Sequence, residues 1–147
     1  TTTAAPTTST TTTTASLASH NFIKSYEDEV LTLLNKARVE KGLKPLVMNE
    51  SLRASARVRS TEIVELFDHV RPDGSSIVTA VSIPWTYFGE NIAAGHPNPI
   101  SVYNGWYKSK GHHDNMFSVH YNKIGIGCYR IERNGIYIHY WVQLFTD

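Results

Sequence analysis

Apolar residues in the first third of the chain recur with the period of an α-helix. Val30, Leu33, Leu34 and Ala37 fall at positions i, i+3, i+4 and i+7, which places them on one stripe. The hydroxyl of Ser25, followed by acidic residues at 27 to 29, is typical of a helix start, because the hydroxyl caps free N–H groups and the acids face the positive helix end. The pattern therefore predicts an amphipathic helix from about Ser25.

Further helices follow with clear start and stop signals. Gly42 is expected to end the first helix, and Asn49 to cap a second helix that runs to about Phe67. Weaker patterns predict a short helix at 76–81 and another at 100–109.

The end of the chain changes to the period of a β-strand. Ile124, Ile126 and Cys128 alternate with glycines and a tyrosine, and Asn134-Gly135 then separates two β-rich segments. Asn-Gly in that position is the strongest short hairpin signal. The segment 136–145 is apolar on both faces, as expected for a strand covered on two sides. Helices followed by a covered hairpin predict an α+β layered domain.

Composition narrows the class of protein. The 147 residues suit one domain, and 41% are hydrophobic, as in a packed core. Lysine and arginine (14) nearly balance aspartate and glutamate (13), so nothing favours nucleic acid as a partner. The single cysteine, Cys128, excludes a disulfide framework within the chain and a Cys-rich zinc site. No apolar run approaches the roughly 20 residues that a transmembrane helix needs.

The first residues differ from the rest. Residues 1–14 are only Thr, Ala, Pro and Ser, and no charged side chain precedes Lys24. This composition predicts a disordered linker or stalk over 1–20 and a folded domain over 21–147. Residues 1–20 have neither the basic nor the apolar region of a signal peptide, so we expect that any signal segment is not present in this chain. A linker in this position is compatible with an upstream domain or anchor.

Three residues far apart in the sequence form the candidate site: His69, Glu90 and His112. Glu90 lies between aromatic and aliphatic residues, and a buried carboxylate needs a histidine, a metal ion or backbone N–H groups beside it. Two imidazoles and one carboxylate form a known zinc arrangement with an open fourth position. These three residues are therefore candidate ligands for Zn²⁺ or another divalent cation, although no local motif such as HExxH supports a shared site. No organic cofactor is expected. The same residues without a metal are a possible acid–base set.

Structural roles remain as alternatives for the same residues. His69 would complement the end of the second helix, and Glu90 would brace a turn through backbone hydrogen bonds. His112 would lie in an exposed polar loop. Ser109 lacks the G-x-S-x-G surroundings of a nucleophile elbow, and Cys128 lies between aliphatic residues like an inert buried thiol.

Taken in order, several segments resemble the CAP superfamily of cysteine-rich secretory, antigen-five and pathogenesis-related proteins. The resemblance extends from about Tyr26 to Phe145 and includes bacterial members without disulfides. The segments that carry it are 34–38 (LNKAR), 67–69 (FDH), 89–92 (GENI), 106–112 (WYKSKGH), 124–127 (IGIG) and 140–145 (YWVQLF).

The resemblance implies a three-layer α-β-α sandwich whose central, mostly antiparallel sheet lies beside a cleft. In the family that cleft holds two histidines and two acidic residues, and some members bind zinc or another divalent ion there. The three candidate residues match family positions, but Ser109 stands where animal and plant members have the second acid. Glu62 or Glu65, one to two turns before His69, is a possible replacement.

The first functional expectation is a secreted or cell-surface binding module whose His-Glu-His cleft takes a divalent metal. Its extracellular ligand would be a lipid, a peptide or a cell-wall component. The alternatives are a metal-dependent extracellular hydrolase using the same cleft, and a structural or adhesive domain. Binding is favoured because no nucleophile stands beside an oriented base. Aromatic residues near the motifs would line a groove, although most are expected in the core: Trp85, Tyr87, Phe88, Tyr103, Trp106 and Tyr107.

Overall fold

The structure, a computed structural model, describes residues 21–147. The Thr-rich segment 1–20, with the predicted linker or stalk, lies outside the described residues, so the division into linker and domain stays a prediction. The elements in chain order are α1 (Lys24–Glu40), β1 (Val47–Met48), α2 (Glu50–Glu65), a 3-10 turn (Ile77–Ala80), β2 (Phe88–Ala94), α3 (Pro99–Lys108), α4 (Lys110–Met116), β3 (Lys123–Arg133) and β4 (Ile136–Thr146).

The start of α1 differs from the prediction. The helix begins at Lys24, so Ser25 lies inside its first turn and is not the cap. The preceding residue, Ile23, donates its N–H to the carbonyl of Cys128 in β3 at 3.1 Å. Its side chain also packs against the core. The helix therefore starts where the chain leaves the sheet, because tertiary anchoring outweighs the local capping signal.

The second helix confirms its predicted start and corrects its end. The side chain of Asn49 accepts a hydrogen bond from the N–H of Leu52 at 3.0 Å, as a helix cap does. The helix ends at Glu65, two residues earlier than expected. Phe67 lies beyond it and is 56% exposed, and His69 follows in the same loop.

Within the described residues, the sheet has four strands in the order β1-β3-β4-β2. β3 and β4 form the predicted antiparallel hairpin, with Asn134 at φ 52° and Gly135 at φ 76°. Two consecutive positive φ angles are the signature of a type I′ turn, which explains the Asn-Gly pair. β2 pairs antiparallel with β4 and forms one outer edge of the sheet.

Helices cover both faces of the sheet, which confirms the predicted α+β, three-layer α-β-α sandwich. α2 packs on one face, where Leu52 and Ile63 meet Leu144. α1, α3 and α4 cover the opposite face, around Trp106 and Trp141. No helix within residues 21–147 has the length and apolar character to cross a bilayer.

Candidate functional site

An open cleft of about 450 Å³ lies beside β2, the outer strand of the sheet. One wall comes from the loop after α2 and contains His69. The opposite wall comes from α3 and the start of α4 and contains Ser109 and His112. The residues that line the cleft are Phe67, Asp68, His69, Ile92, Ala93, Ala94, His96, Gly105, Trp106, Ser109 and His112.

Glu90 is buried, as its apolar surroundings predict, but its main partner is an arginine. Arg59 of α2 donates from Nε to Oε2 of Glu90 at 2.7 Å and from Nη2 to Oε1 at 3.1 Å. The side chain of Arg59 is 0% exposed and that of Glu90 1%. Nδ1 of His69 lies 2.9 Å from Oε1 of the same carboxylate. The structure thus joins His69 to Glu90, with both oxygens engaged.

A second ion pair extends this cluster. Glu62 accepts hydrogen bonds from Arg59 at 2.8 Å and from Arg71 at 2.9 and 2.6 Å. Burial, the largest single influence, raises the pKa of Glu62. The hydrogen bonds and charges of the two arginines together outweigh burial, so the pKa of Glu62 lies below its ordinary value. Of the two carboxylates considered as replacement acids, Glu62 therefore lies in the charged cluster, whereas Glu65 is exposed.

Arg59 was not predicted as part of the site, although its position in the sequence carries a signal. Arg59 continues the stripe of Leu52, Ala56 and Ile63 at helical spacing, a position where an apolar residue is expected. An arginine on the buried stripe of a helix requires a buried carboxylate, because an unpaired charge is costly to bury.

A metal site made of the three predicted ligands does not fit this arrangement. Both oxygens of Glu90 already accept hydrogen bonds from the Arg59 guanidinium, whose positive charge repels a cation. Among residues 21–147, no group of three or more His, Cys, Asp and Glu side chains is placed to hold a metal ion. Binding of Zn²⁺ or another divalent cation stays a prediction from the sequence.

His112 lies on a helix and not in a loop. α4 begins directly after Ser109, and an i,i+4 ion pair between Lys110 and Asp114 at 2.7 Å supports it on the solvent side. The amide of Asn91 in β2 donates to the carbonyl of His112 at 3.1 Å, which fixes the helix beside the sheet. Burial, with the nearby His69, lowers the pKa of His112 below its ordinary value and favours the neutral ring.

Ser109 is hydrogen bonded to His112. Its Oγ lies 2.9 Å from His112 Nδ1. Ser109 occupies the N-cap position of α4, yet its side chain makes no capping hydrogen bond. The hydroxyl is therefore directed to the imidazole, and both groups line the cleft.

A third imidazole, that of His96, lines the cleft and was not predicted as a site residue. Its Nδ1 lies 2.9 Å from the hydroxyl of Ser101, and its ring faces Gly105 of α3. A Cβ built at Gly105 would lie 2.8 Å from the ring, so glycine is needed there for His96 to keep its place. No local signal in the sequence connected His96 to the site.

The backbone of β2 contributes polar groups at the cleft. The side-chain amide of Asn115 donates a hydrogen bond to the carbonyl of Glu90 at 3.3 Å, and the indole N–H of Trp106 donates one to the carbonyl of Ile92 at 3.2 Å. Because both donors lie outside the sheet, these two carbonyls point away from β4. In an antiparallel pair, residues alternate between facing the partner strand and facing away. The N–H of Ile92 and both backbone groups of Ala94 therefore point outward, on the cleft side.

Aromatic residues near the motifs divide between core and surface. Trp106 is buried, and Tyr103 and Phe88 pack against the core. Most of the six aromatic residues were expected in the core, but three of them are exposed, on loops or on the outer side of a helix. Those exposed residues are Trp85, Tyr87 and Tyr107.

Comparisons with known proteins agree with this architecture. The chain is 34% identical to protein YkwD of Bacillus subtilis over 128 residues, which is 84% of this chain and 48% of that protein. It therefore spans about half the length of that relative. An SCP-domain extracellular protein from Bacillus anthracis superposes with a TM-score of 0.72 at 21% identity, over 84% of this chain and 40% of the other. An outer surface protein of Borrelia burgdorferi superposes with a TM-score of 0.72 at 20% identity, over 86% of this chain and 96% of the other.

The three layers and the cleft beside the outer strand define an SCP-type sandwich, the fold of these solved structures. The profile of the CAP family, the cysteine-rich secretory protein family, matches residues 31–145. The chain belongs to the CAP family, which confirms the resemblance carried by the sequence motifs.

Proposed function

We propose that this CAP domain is an extracellular binding module that takes an extended peptide in the cleft along β2. The observation that carries the proposal is the outer edge of β2, where the outward N–H of Ile92 and both backbone groups of Ala94 belong to residues that line the cleft. An exposed strand edge recognises a peptide by adding it as a further strand.

The charges of the cleft favour binding over metal-dependent hydrolysis. Glu90 and Glu62 are both paired with arginine, so neither carboxylate is available as a metal ligand or as a free base. The polar groups left on the walls are imidazoles, a hydroxyl and Asp68. These groups suit hydrogen bonds to the side chains of a peptide.

The size of the cleft agrees with a short ligand. A volume of about 450 Å³ is at the lower end of the range of small-molecule sites, about 300–1,000 Å³. Ile92, Ala93 and Trp106 supply apolar contact at its base. An extended segment of a few residues would follow the strand while its ends remain in solvent.

An extracellular setting is supported by the relatives. One solved structure with this fold is an extracellular protein and another is an outer surface protein. The Thr-rich composition of residues 1–20 suits a stalk that displays the domain away from a surface.

The test is titration of ¹⁵N-labelled chain with a library of acetylated tetrapeptide amides, followed by backbone NMR. Binding by strand addition should shift the amide signals of Ile92 and Ala94 and slow their hydrogen exchange. N-methylated versions of the binding peptides, which lack the pairing donors, should bind at least about tenfold more weakly, since each lost hydrogen bond is worth about 1 kcal/mol.

Two variants sharpen the test. Ala94→Trp should fill the exposed end of the cleft and abolish binding, whereas Ala54→Trp on the exposed side of α2 should not. Anionic phospholipid vesicles and soluble peptidoglycan fragments serve as the competing ligands. The proposal is overturned if no peptide shifts Ile92 or Ala94, or if vesicles or glycan fragments occupy the cleft and peptides do not.

A further inference from the structure

Within residues 21–147, two serine–histidine pairs have the same separation, and one of them lines the cleft with both of its residues. Ser109 Oγ and Ser101 Oγ each lie 2.9 Å from an Nδ1, of His112 and His96 respectively. Ser109 and His112 both line the cleft, whereas Ser101 does not.

We propose that Ser109 and His112 form a nucleophile–base pair that transfers acyl groups from carboxylic esters bound in the cleft. A serine hydroxyl becomes a nucleophile when a neighbouring base within about 2.6–3.2 Å accepts its proton. The contact between Oγ and Nδ1 meets this distance. The hydroxyl makes no helix-capping hydrogen bond, so no competing local bond holds it.

A hydrogen bond from the central sheet fixes the position of His112, and with it the Ser109–His112 pair. The carbonyl of His112 accepts a hydrogen bond from Asn91, so the base is fixed relative to β2. Asn91 is itself buried and its Nδ2 also donates to Gln143 of β4 at 3.0 Å. A nucleophile and base positioned by rigid elements keep their reactive geometry without rearrangement.

The reaction balances with groups already present. Oγ of Ser109 adds to the ester carbonyl carbon while its proton passes to Nδ1 of His112. The bond to the leaving oxygen breaks, and the leaving group takes that proton and departs as an alcohol, which leaves the acyl group on Ser109. Water then adds to the acyl carbon and gives a proton to His112, which returns it to Oγ as the acyl bond breaks and the carboxylic acid leaves.

The cleft also limits the substrate. Ile92, Ala94 and Trp106 line it beside the pair and offer apolar contact to a small acyl group. Its open mouth leaves room for the alcohol side of the ester. The two proposals are distinguishable, because acyl transfer requires the Ser109 hydroxyl, whereas peptide binding depends on backbone groups of β2 and uses that hydroxyl only for side-chain contacts.

The experiment treats the intact chain with a fluorophosphonate ester, which reacts covalently with activated serine hydroxyls, and measures intact mass and the labelled peptide. We expect one adduct per chain, on Ser109. Labelling should be lost in Ser109→Ala and slowed about 10²–10⁴-fold in His112→Ala, the usual range for removal of a general base. Ser101→Ala, the matched control for the other pair, should label at the wild-type rate.

A second measurement keeps the result interpretable if a variant folds poorly. In Ser109→Cys the new thiol should react with iodoacetamide, while the native Cys128 is 0% exposed and its pKa is raised by burial. Addition of His112→Ala should slow alkylation at least about tenfold, because the base that favours the thiolate is gone.

Each outcome decides the proposal. Labelling of Ser109 that depends on His112, together with release of p-nitrophenol from p-nitrophenyl acetate, supports it. The absence of an adduct in the folded wild-type chain, an adduct on another serine, or equal labelling of His112→Ala overturns it.

Discussion

The buried pair of Arg59 and Glu90 is the feature of the site whose energetic effect can be worked out best. In Arg59→Met the apolar chain keeps much of the volume, but the Glu90 carboxylate stays 1% exposed without its guanidinium partner. Removal of one partner of a buried ion pair costs about 3–5 kcal/mol, because a charge is left uncompensated. The same change frees the carbonyl of Asp68 and one oxygen of Glu62, both partners of Arg59, which adds to the loss.

The assay is urea unfolding at pH 7, followed by tryptophan fluorescence and circular dichroism. With a denaturant slope of about 1.5 kcal/mol/M, a loss of about 3–5 kcal/mol lowers the unfolding midpoint by about 2–3 M. Glu90→Gln should cost less, because Arg59 keeps Glu62 as a counter-charge. In the double variant Arg59→Met/Glu90→Gln the two effects should not add, with a coupling of about 1–3 kcal/mol.

The outcome also distinguishes a structural carboxylate from a metal ligand. If Glu90 were held mainly for a cation, zinc would bind the wild-type chain, and Arg59→Met would change the free energy of unfolding by far less than the about 3–5 kcal/mol expected for a broken buried ion pair. That result would refute the argument from the ion pair. Zinc titration of wild type, Arg59→Met and Glu90→Gln completes the comparison.

Four other changes have definite expected results. Gly127→Ala should destabilise the domain by about 1–3 kcal/mol or more in urea unfolding, because a Cβ would lie 2.5 Å from the carbonyl oxygen of Ala56 in α2; a neutral effect would contradict the close packing. Gly105→Ala should displace His96, whose ring is 2.8 Å from the added Cβ, and NMR should show shifts at His96 while the fold persists. His139 is buried, and its pKa is lowered below 6.5 by burial and, to a smaller extent, by the charge of Arg130. The unfolded chain therefore binds a proton more readily than the folded chain, and stability present above about pH 6.5 should be lost as the pH falls toward the lowered folded-state pKa. His139→Phe should flatten this decline, measured as melting temperature between pH 7 and 5. Deletion of residues 1–19 should leave the melting temperature within error, as the predicted linker requires, and a clear decrease would contradict that prediction.

Much of the fold was predictable because its signals are local. The stripe through Val30 and Leu34, the Asn49 cap and the Asn134-Gly135 turn each depend on neighbouring residues. The start of α1 was not predictable from the Ser25 signal, because Ile23 is fixed by a strand about a hundred residues away in sequence. Local propensity determines which elements form, and long-range contacts determine where this helix begins.

The site was predictable only in part, for the same physical reason. His69 and Glu90 do meet, and the burial of Glu90 follows from its apolar neighbours. The partner of the Glu90 carboxylate was not predictable from neighbouring residues, because the compensating positive charge belongs to Arg59 on another element, α2. The helix that carries His112 was also missed, because it is short and its stability depends on the sheet and on one surface ion pair.

The replacement of the expected second acid by Ser109 changes what the cleft is suited to do. A carboxylate at that position would add a negative charge opposite His69 and attract a cation. Ser109 instead adds a neutral hydroxyl hydrogen bonded to His112, while Arg59 neutralises the carboxylate that remains. Under our proposal, the hydroxyl of Ser109 therefore suits this cleft to hydrogen bonding and nucleophilic chemistry better than to cation binding. Ser109→Glu should reverse this change: it should abolish serine labelling and raise zinc affinity, and a failure of zinc to bind the variant would show that Arg59 dominates the charge of the cleft.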